Sequence, residues 1–259
     1  MSTENDKKVV DAVLKECGNL EKMLNDIFLP KFIEMHRANP KYNQLKLKQE
    51  VVASSSVFFT KKKYGLYIIN KEGKTVSEYD VKGMIMRKSN FPTFSKEKVY
   101  TLLDMILKVE TLDLQGIRKF IYETEQEMIE LCKQGSKLIA GAVSFHKEEE
   151  EYKKIPYQIN GMKLWNDLEY NYFIPGTKGY LFRIKGIDSF NAPSKITNNM
   201  NLIKAKNKHI VIPFEEEKLP EYYNLDLDAQ LKFVWTDRVK EVIGVLSNTR
   251  KITIEDIFE

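Results

Sequence analysis

Cysteine is nearly absent from this chain: Cys17 and Cys132 stand far apart, with no CxxC pair. That excludes a disulfide framework and thiolate metal sites, and it fits a reducing cytoplasm with each cysteine a small core residue on a helix. Histidine is also scarce. His36, His146 and His209 are scattered and lack zinc-ligand spacing. No apolar run approaches the ~18 residues of a membrane span, and the opening MSTENDKKVV has no signal-peptide centre. Internal repeats and low-complexity linkers are missing too. What remains is a folded chain: 259 residues with 42% hydrophobic and 11% aromatic content suffice for one large domain or two modest ones.

Positive charge is present, and it is local. Residues 61–108 hold 11 Lys/Arg against 5 Asp/Glu, whereas 1–60 hold 9 against 8 and 109–259 hold 21 against 24. One short region therefore more than accounts for the net +4. A concentrated basic patch is the footprint of a polyanion-binding surface.

The hydrophobic period predicts an α+β chain. Val9, Val10, Val13 and Leu14, then Leu20, Met23, Leu24 and Ile27, recur at helical spacing, with Gly18 as a break and Asn39-Pro40 as the stop. From Leu45 to Phe59 the pattern turns β-like, KYGLYIIN is a strand, NKEGK a hairpin turn around Gly73, and TVSEYDVKGM the return strand. This reads as helices on a small antiparallel sheet. After Pro92 the chain becomes mainly helical with short strands. Ser95 is the expected N-cap of VYTLLDMILKV, with Lys98 leaving the capping box incomplete. Leu114, Ile117, Ile121, Met128 and Leu131 form one stripe of a longer helix that stops at Gly135. Beyond lie the apolar KLIAGAVSF, a helix around WNDLEYNYF, strands GYLFRIKGI and KHIVIPF, and a last helix over 227–246.

The most informative stretch is FFTKKKYGLYIIN, residues 58–70. Read as a strand, it puts Lys62 and Tyr64 on one face and Lys61 and Lys63 on the other. Lysine supplies charge for a phosphate; tyrosine supplies a hydroxyl and a flat apolar body. The same lysines also suit a solvated strand start guarded against aggregation. The return strand ends in KGMIMRKSNFP, so a hairpin can bring Lys82, Arg87 and Lys88 near KKKY. Two clusters joined this way favour a continuous backbone-binding surface whose affinity falls steeply with salt.

KKKYG, a hairpin and then KGxxxRKSxxP resemble the end of the palm and start of the thumb in family B DNA polymerases, above all the T-even-phage type. The resemblance implies that Lys61, Lys62 and Tyr64 hold the minor groove of the primer–template duplex, with Lys82, Arg87 and Lys88 from the second motif. Ile85 departs from the glutamate of many members. LKLKQEVVA is similar to the palm strand whose glutamate lies close to the metal-binding aspartates; this falls on Glu50, which as a residue reads equally as surface. KKIPYQINGMKLWN, residues 153–166, and NKHIVIPF resemble thumb segments. The tail KITIEDIFE is similar to the peptide that holds the sliding clamp, anchored by Ile254, Ile257 and Phe258; a frayed terminus is its plain alternative.

Against that family, the DxxSLYPS and DTDS aspartate motifs and the KxxxNSxYG fingers helix are missing, and there is no exonuclease signature, the one D-x-E triplet (Asp167–Glu169) falling in the thumb-like stretch. Paired aspartates hold the two metal ions of phosphoryl transfer. The acidic runs Glu148–Glu151 and Glu215–Glu217 cannot replace them, because consecutive carboxylates do not converge on one ion. The resemblance therefore implies the carboxy-terminal chain of a split polymerase: end of palm over 1–92, thumb over 93–246, clamp tail over 247–259. The opening Met and polar leader favour a natural chain. Its expected partners are primer–template DNA, an amino-terminal polypeptide carrying exonuclease, fingers and catalytic palm, and a sliding clamp. Mg2+ would be held mainly by that other chain, no membrane is involved, and the setting would be a phage-infected cytoplasm. The alternatives are a DNA-binding replication accessory and a protein whose basic hairpin meets an acidic protein surface.

Overall fold

A computed structural model describes residues 4–42, 44–108, 112–147, 151–168, 172–188, 190–192, 194 and 208–250. The fold is α+β, with a three-stranded and a four-stranded antiparallel sheet. The chain divides into two compact units, Met1–Ser56 with Gly65–Asp80, and Val57–Tyr64 with Val81–Glu259. The strands of the first sheet, β1 (Val51–Thr60), β2 (Lys63–Lys71) and β3 (Lys74–Lys82), are ordered β1-β2-β3.

In the first unit, α1 (Glu4–Met23) runs straight through Gly18. The expected break does not occur, because one glycine costs a helix only ~1 kcal/mol and the surrounding Leu14, Lys15, Glu16, Leu20 and Glu21 are good helix formers. A π turn over Leu24–Phe28 leads into α2 (Leu29–Met35). Proline lacks an N–H and crowds the carbonyl four residues back, so the wider turn accommodates Pro30 without ending the helix. The end comes at Arg37, in left-handed backbone with φ 52°, shortly before Pro40. Residues 45–50 are not strand, contrary to the β-like pattern. Their backbone is taken by helix side chains: Asn25 donates to the Leu47 carbonyl at 2.7 Å and accepts from its N–H at 2.9 Å, and Glu21 accepts from the Gln49 N–H at 3.0 Å. The β2–β3 turn lies at Glu72 (φ 49°) and Gly73 (φ 81°), the paired left-handed conformations of a two-residue hairpin.

In the second unit, α3 (Thr93–Leu107) and α4 (Leu114–Lys133) bury Val99, Leu102, Leu103 and Ile106, and Ile117, Ile121 and Met128, at helical spacing. The cap of α3 is Pro92, not Ser95. Proline at the boundary has no N–H to satisfy, and Ser95 falls one turn inside, fully buried. Asp113 caps α4 by accepting from the Gly116 N–H. Burial pushes the Cys132 thiol up to about 12, so it is an inert core group. The second sheet is ordered β4 (Gly141–Ser144), β5 (Lys178–Ile187), β6 (His209–Pro213), with β7 (Tyr223–Leu225) also paired to β5. Helix α5 (Tyr157–Leu168) lies on β6, and a Cβ on Gly161 would stand 3.1 Å from a Val211 methyl, so a larger residue there would require β6 to give by a few tenths of an ångström. The helix expected around WNDLEYNYF is thus the end of an earlier one. Asn166 turns the chain back by accepting from the N–H groups of Tyr172 and Phe173. Finally α6 (Leu227–Leu231), a π turn over Lys232–Thr236 and α7 (Asp237–Arg250) complete the unit. Gln230, fully buried, accepts from the Arg183 N–H at 3.1 Å and donates to the Ile139 carbonyl at 2.6 Å.

Candidate nucleic-acid interface

Lys61 and Lys62 form the tight turn between β1 and β2 rather than part of a strand. Lys62 has φ 67°. Its expected shared face with Tyr64 is therefore lost, because a left-handed residue breaks the strand alternation. Non-glycine residues held in that region cost of order 1–3 kcal/mol and cluster at functional sites. Both turn lysines are exposed and make no ion pair among the described residues.

Lys63 behaves differently. Its ammonium lies 3.0 Å from the Glu241 carboxylate on α7, and the same carboxylate takes the Arg238 guanidinium at 3.2 Å. One lysine of the three is thus compensated within the protein, and two present their charge to solvent.

Tyr64, the second residue of β2, is half-buried. Its ring lies 6.1 Å from that of Phe58, and the Lys82 ammonium stands 5.5 Å from its centroid. Phe58 is 67% exposed, which makes an aromatic pair at the surface beside cations. This is a combination that suits a sugar or base edge next to a phosphate.

The two basic segments are held together at Gly83. Its φ is 73°, and a Cβ there would stand 2.5 Å from the Lys62 carbonyl and 2.7 Å from Lys63 Cγ. The end of β3 is therefore pressed against the lysine turn, and only glycine allows it. From Gly83 the chain enters a single 3-10 turn, Ile85–Arg87. Arg87 donates to the Val81 carbonyl at 2.8 Å, bracing this corner, and Lys88 is exposed beyond it. Lys61, Lys62, Tyr64 and Lys82 thus gather at one end of the hairpin, with Arg87 bonded back to the end of β3 and Lys88 following it in the chain.

Glu50 belongs to the first unit, whereas the corner is in the second; it is exposed, precedes β1, and its carbonyl accepts from the Glu72 N–H at 2.8 Å. Among the described residues no group of three or more His, Cys, Asp or Glu side chains could hold a metal. Glu50 alone does not make a Mg2+ site. Ile254, Ile257 and Phe258 lie outside the described residues, as do Glu148, Glu149 and Glu150. The other acidic run disperses. Glu215 accepts from the Tyr172 hydroxyl at 2.5 Å, which raises that phenol to about 12 and lowers the carboxyl, while Glu217 pairs with Lys137 at 2.6 Å.

Three members of the site escaped sequence reasoning. Phe58 sits inside the quoted FFTKKKY and could have been found as the aromatic flanking the lysines. Gly83 was visible as the glycine after Lys82. The Glu241–Lys63 pair spans 178 residues and had no local signal. No protein-family model matches the chain, and no curated protein matches it either. No helix among the described residues is long and apolar enough to cross a membrane.

Proposed function

We propose that this chain grips the backbone of primer–template DNA and serves as the carboxy-terminal subunit of a two-chain family B polymerase. The observation that carries the reading is the close approach at Gly83, which brings the end of β3, with Lys82 over the Tyr64 ring, against the Lys61-Lys62 turn and leads directly into Arg87 and Lys88. Those are the residues on which the resemblance falls, and they form one basic corner with an aromatic pair in it.

In this role the chain positions. Exposed lysines neutralise phosphates and release counterions, giving affinity without sequence preference. The tyrosine ring, backed by Phe58, supports the duplex edge. Holding the primer end in line is a large part of phosphoryl-transfer catalysis. The catalytic aspartates and Mg2+, which would stabilise the charge on the transferred phosphoryl group, belong to the partner polypeptide. The 247–259 tail would tether a sliding clamp, and the setting would be the cytoplasm of a phage-infected host.

The test is a pull-down of tagged chain from its native source, followed by template-directed primer extension. Extension should require a co-eluting larger protein and disappear when that protein is stripped away. The double substitution Lys62→Ala with Tyr64→Ala should weaken extension more than it weakens assembly of the two chains. Salt-dependent duplex binding with an inactive eluate and no large partner would leave a DNA-binding accessory. Absence of salt-dependent DNA affinity would favour a hairpin that meets an acidic protein.

A further inference from the structure

The first unit presents an apolar row that its own sheet does not use. Val10, Leu14, Cys17 and Leu24 are half-buried, and Leu29 and Ile33 are buried. A second row points elsewhere: Val9, Val13, Leu20, Met23 and Ile27 are each at least 41% exposed. With Glu16 their positions step by four and three alternately, which is the 3.5-residue period of a coiled-coil seam. The π turn over Leu24–Phe28 inserts one residue, and beyond it the exposed row continues through Phe28, Phe32 and Met35, the last 80% exposed. The phase is thus kept across Pro30 for about 40 Å of helix. Isolated exposed apolar residues need no explanation, but a contiguous periodic row of eight does.

The period says what fits. Knobs at alternating four- and three-residue steps match the holes of an α-helix, and a strand does not repeat that way. Near its start the row borders a groove of about 730 Å3 between α1 and the sheet, walled by Val13, Val52, Ile69 and Val76, with room for the end of such a helix. Glu16 decides against a second copy. Its carboxylate makes no ion pair among the described residues and stands in the middle of the row. A parallel copy sets Glu16 against Glu16; an antiparallel copy about the midpoint sets Val9 against Ile27, Val13 against Met23 and Glu16 against Leu20. Neither gives the carboxylate a counter-charge.

We infer that the exposed row of α1 and α2 is a docking seam for one amphipathic helix of the partner polypeptide, carrying a basic residue opposite Glu16. The inference rests on the two-chain reading above only for the owner of that helix.

The probe is a synthetic peptide of about four heptads with leucine at the seam positions and one central lysine, beside a twin with glutamate in its place. Titrated against the full chain, the lysine peptide should bind at least about tenfold tighter than its twin. Glu16→Lys should reverse the order of the two peptides, and Leu20→Glu should abolish both. Both substituted side chains are exposed, so the fold is kept, and circular dichroism verifies it. Equal binding of the twins, or no reversal with Glu16→Lys, overturns the inference. A dimer in sedimentation equilibrium that Leu20→Glu dissolves would assign the seam to a second copy. Binding to phosphatidylcholine vesicles lost with Leu20→Glu would assign it to a membrane. Either overturns the inference. Primer–template binding is measured on the same samples: if it fails while the reversal holds, the polymerase reading falls and the seam stands.

Discussion

The two sheets differ in how completely they are covered. In the four-stranded sheet, every residue of β6 from Ile210 to Pro213 is buried, and the backbone of β5 is further fixed by a buried glutamine. In the three-stranded sheet, β1 alternates half-buried and exposed positions from Ala53 to Thr60 and contains no fully buried residue. The four-stranded sheet is finished by its own unit. Around the three-stranded sheet an apolar row of helix, a groove and a basic corner are left uncovered. Stability and the proposed recognition are thus lodged in different places, and substitutions should separate them.

The largest effect should come from the covered sheet. Gln230→Ala leaves the Arg183 N–H and the Ile139 carbonyl buried without partners, each worth about 1–3 kcal/mol, so denaturant unfolding should show a marked loss of stability. Duplex affinity, measured where the protein is still folded, should be unchanged. A loss of DNA binding at full stability would erase the separation.

Gly83→Ala comes next, and it acts on the corner itself. A Cβ at φ 73°, aimed at the Lys62 carbonyl, should cost about 1–3 kcal/mol, and by pushing the turn away it should also weaken DNA binding. Both readouts should move together, in contrast to Gln230→Ala.

A smaller effect tracks pH. Burial, and then the nearby Arg183 charge, lower the pKa of His209. A lowered folded-state pKa means the unfolded chain takes up the proton first. His209 therefore contributes stability above the ordinary histidine pKa of about 6.5, and this is lost as pH falls through the lowered value. His209→Gln should flatten the pH dependence of unfolding over that window and leave duplex affinity at neutral pH alone. The smallest effect belongs to Lys63→Ala. Its partly exposed pair with Glu241 is worth about 0–1 kcal/mol, and because its charge is already compensated, the salt slope of DNA binding should hardly change.

Much of this was legible in the sequence. Hydrophobic period located α1, α3, α4, β2, β3, β5 and β6, and the glycines at 73 and 135 marked their turns, because in each case local pattern and tertiary environment agree. The misreadings have separate causes. Gly18 did not break a helix because a single glycine costs it little, whereas Pro92 supplied the boundary expected of Ser95 and the side chains of Glu21 and Asn25 took the backbone hydrogen bonds of residues 45–50. Within the candidate site, composition alone revealed the basic region, residues 61–108. The position of Lys62 in a left-handed turn and the neutralisation of Lys63 by Glu241 depend on backbone conformation and a long-range contact, and neither is written in local spacing.

The account turns on whether the exposed lysines of this corner carry DNA affinity through charge. The most direct measurement is duplex binding across a series of salt concentrations for the unaltered chain and for Lys61→Ala, Lys62→Gly and Lys88→Ala combined. Glycine suits the left-handed backbone at position 62, so the fold is not penalised there. Each lost phosphate contact should make the slope of log affinity against log salt shallower by about 0.9, and the three together by nearly 3, with unfolding stability unchanged. An unaltered slope, or no salt-dependent affinity in the starting chain, would contradict the assignment of this corner to nucleic acid.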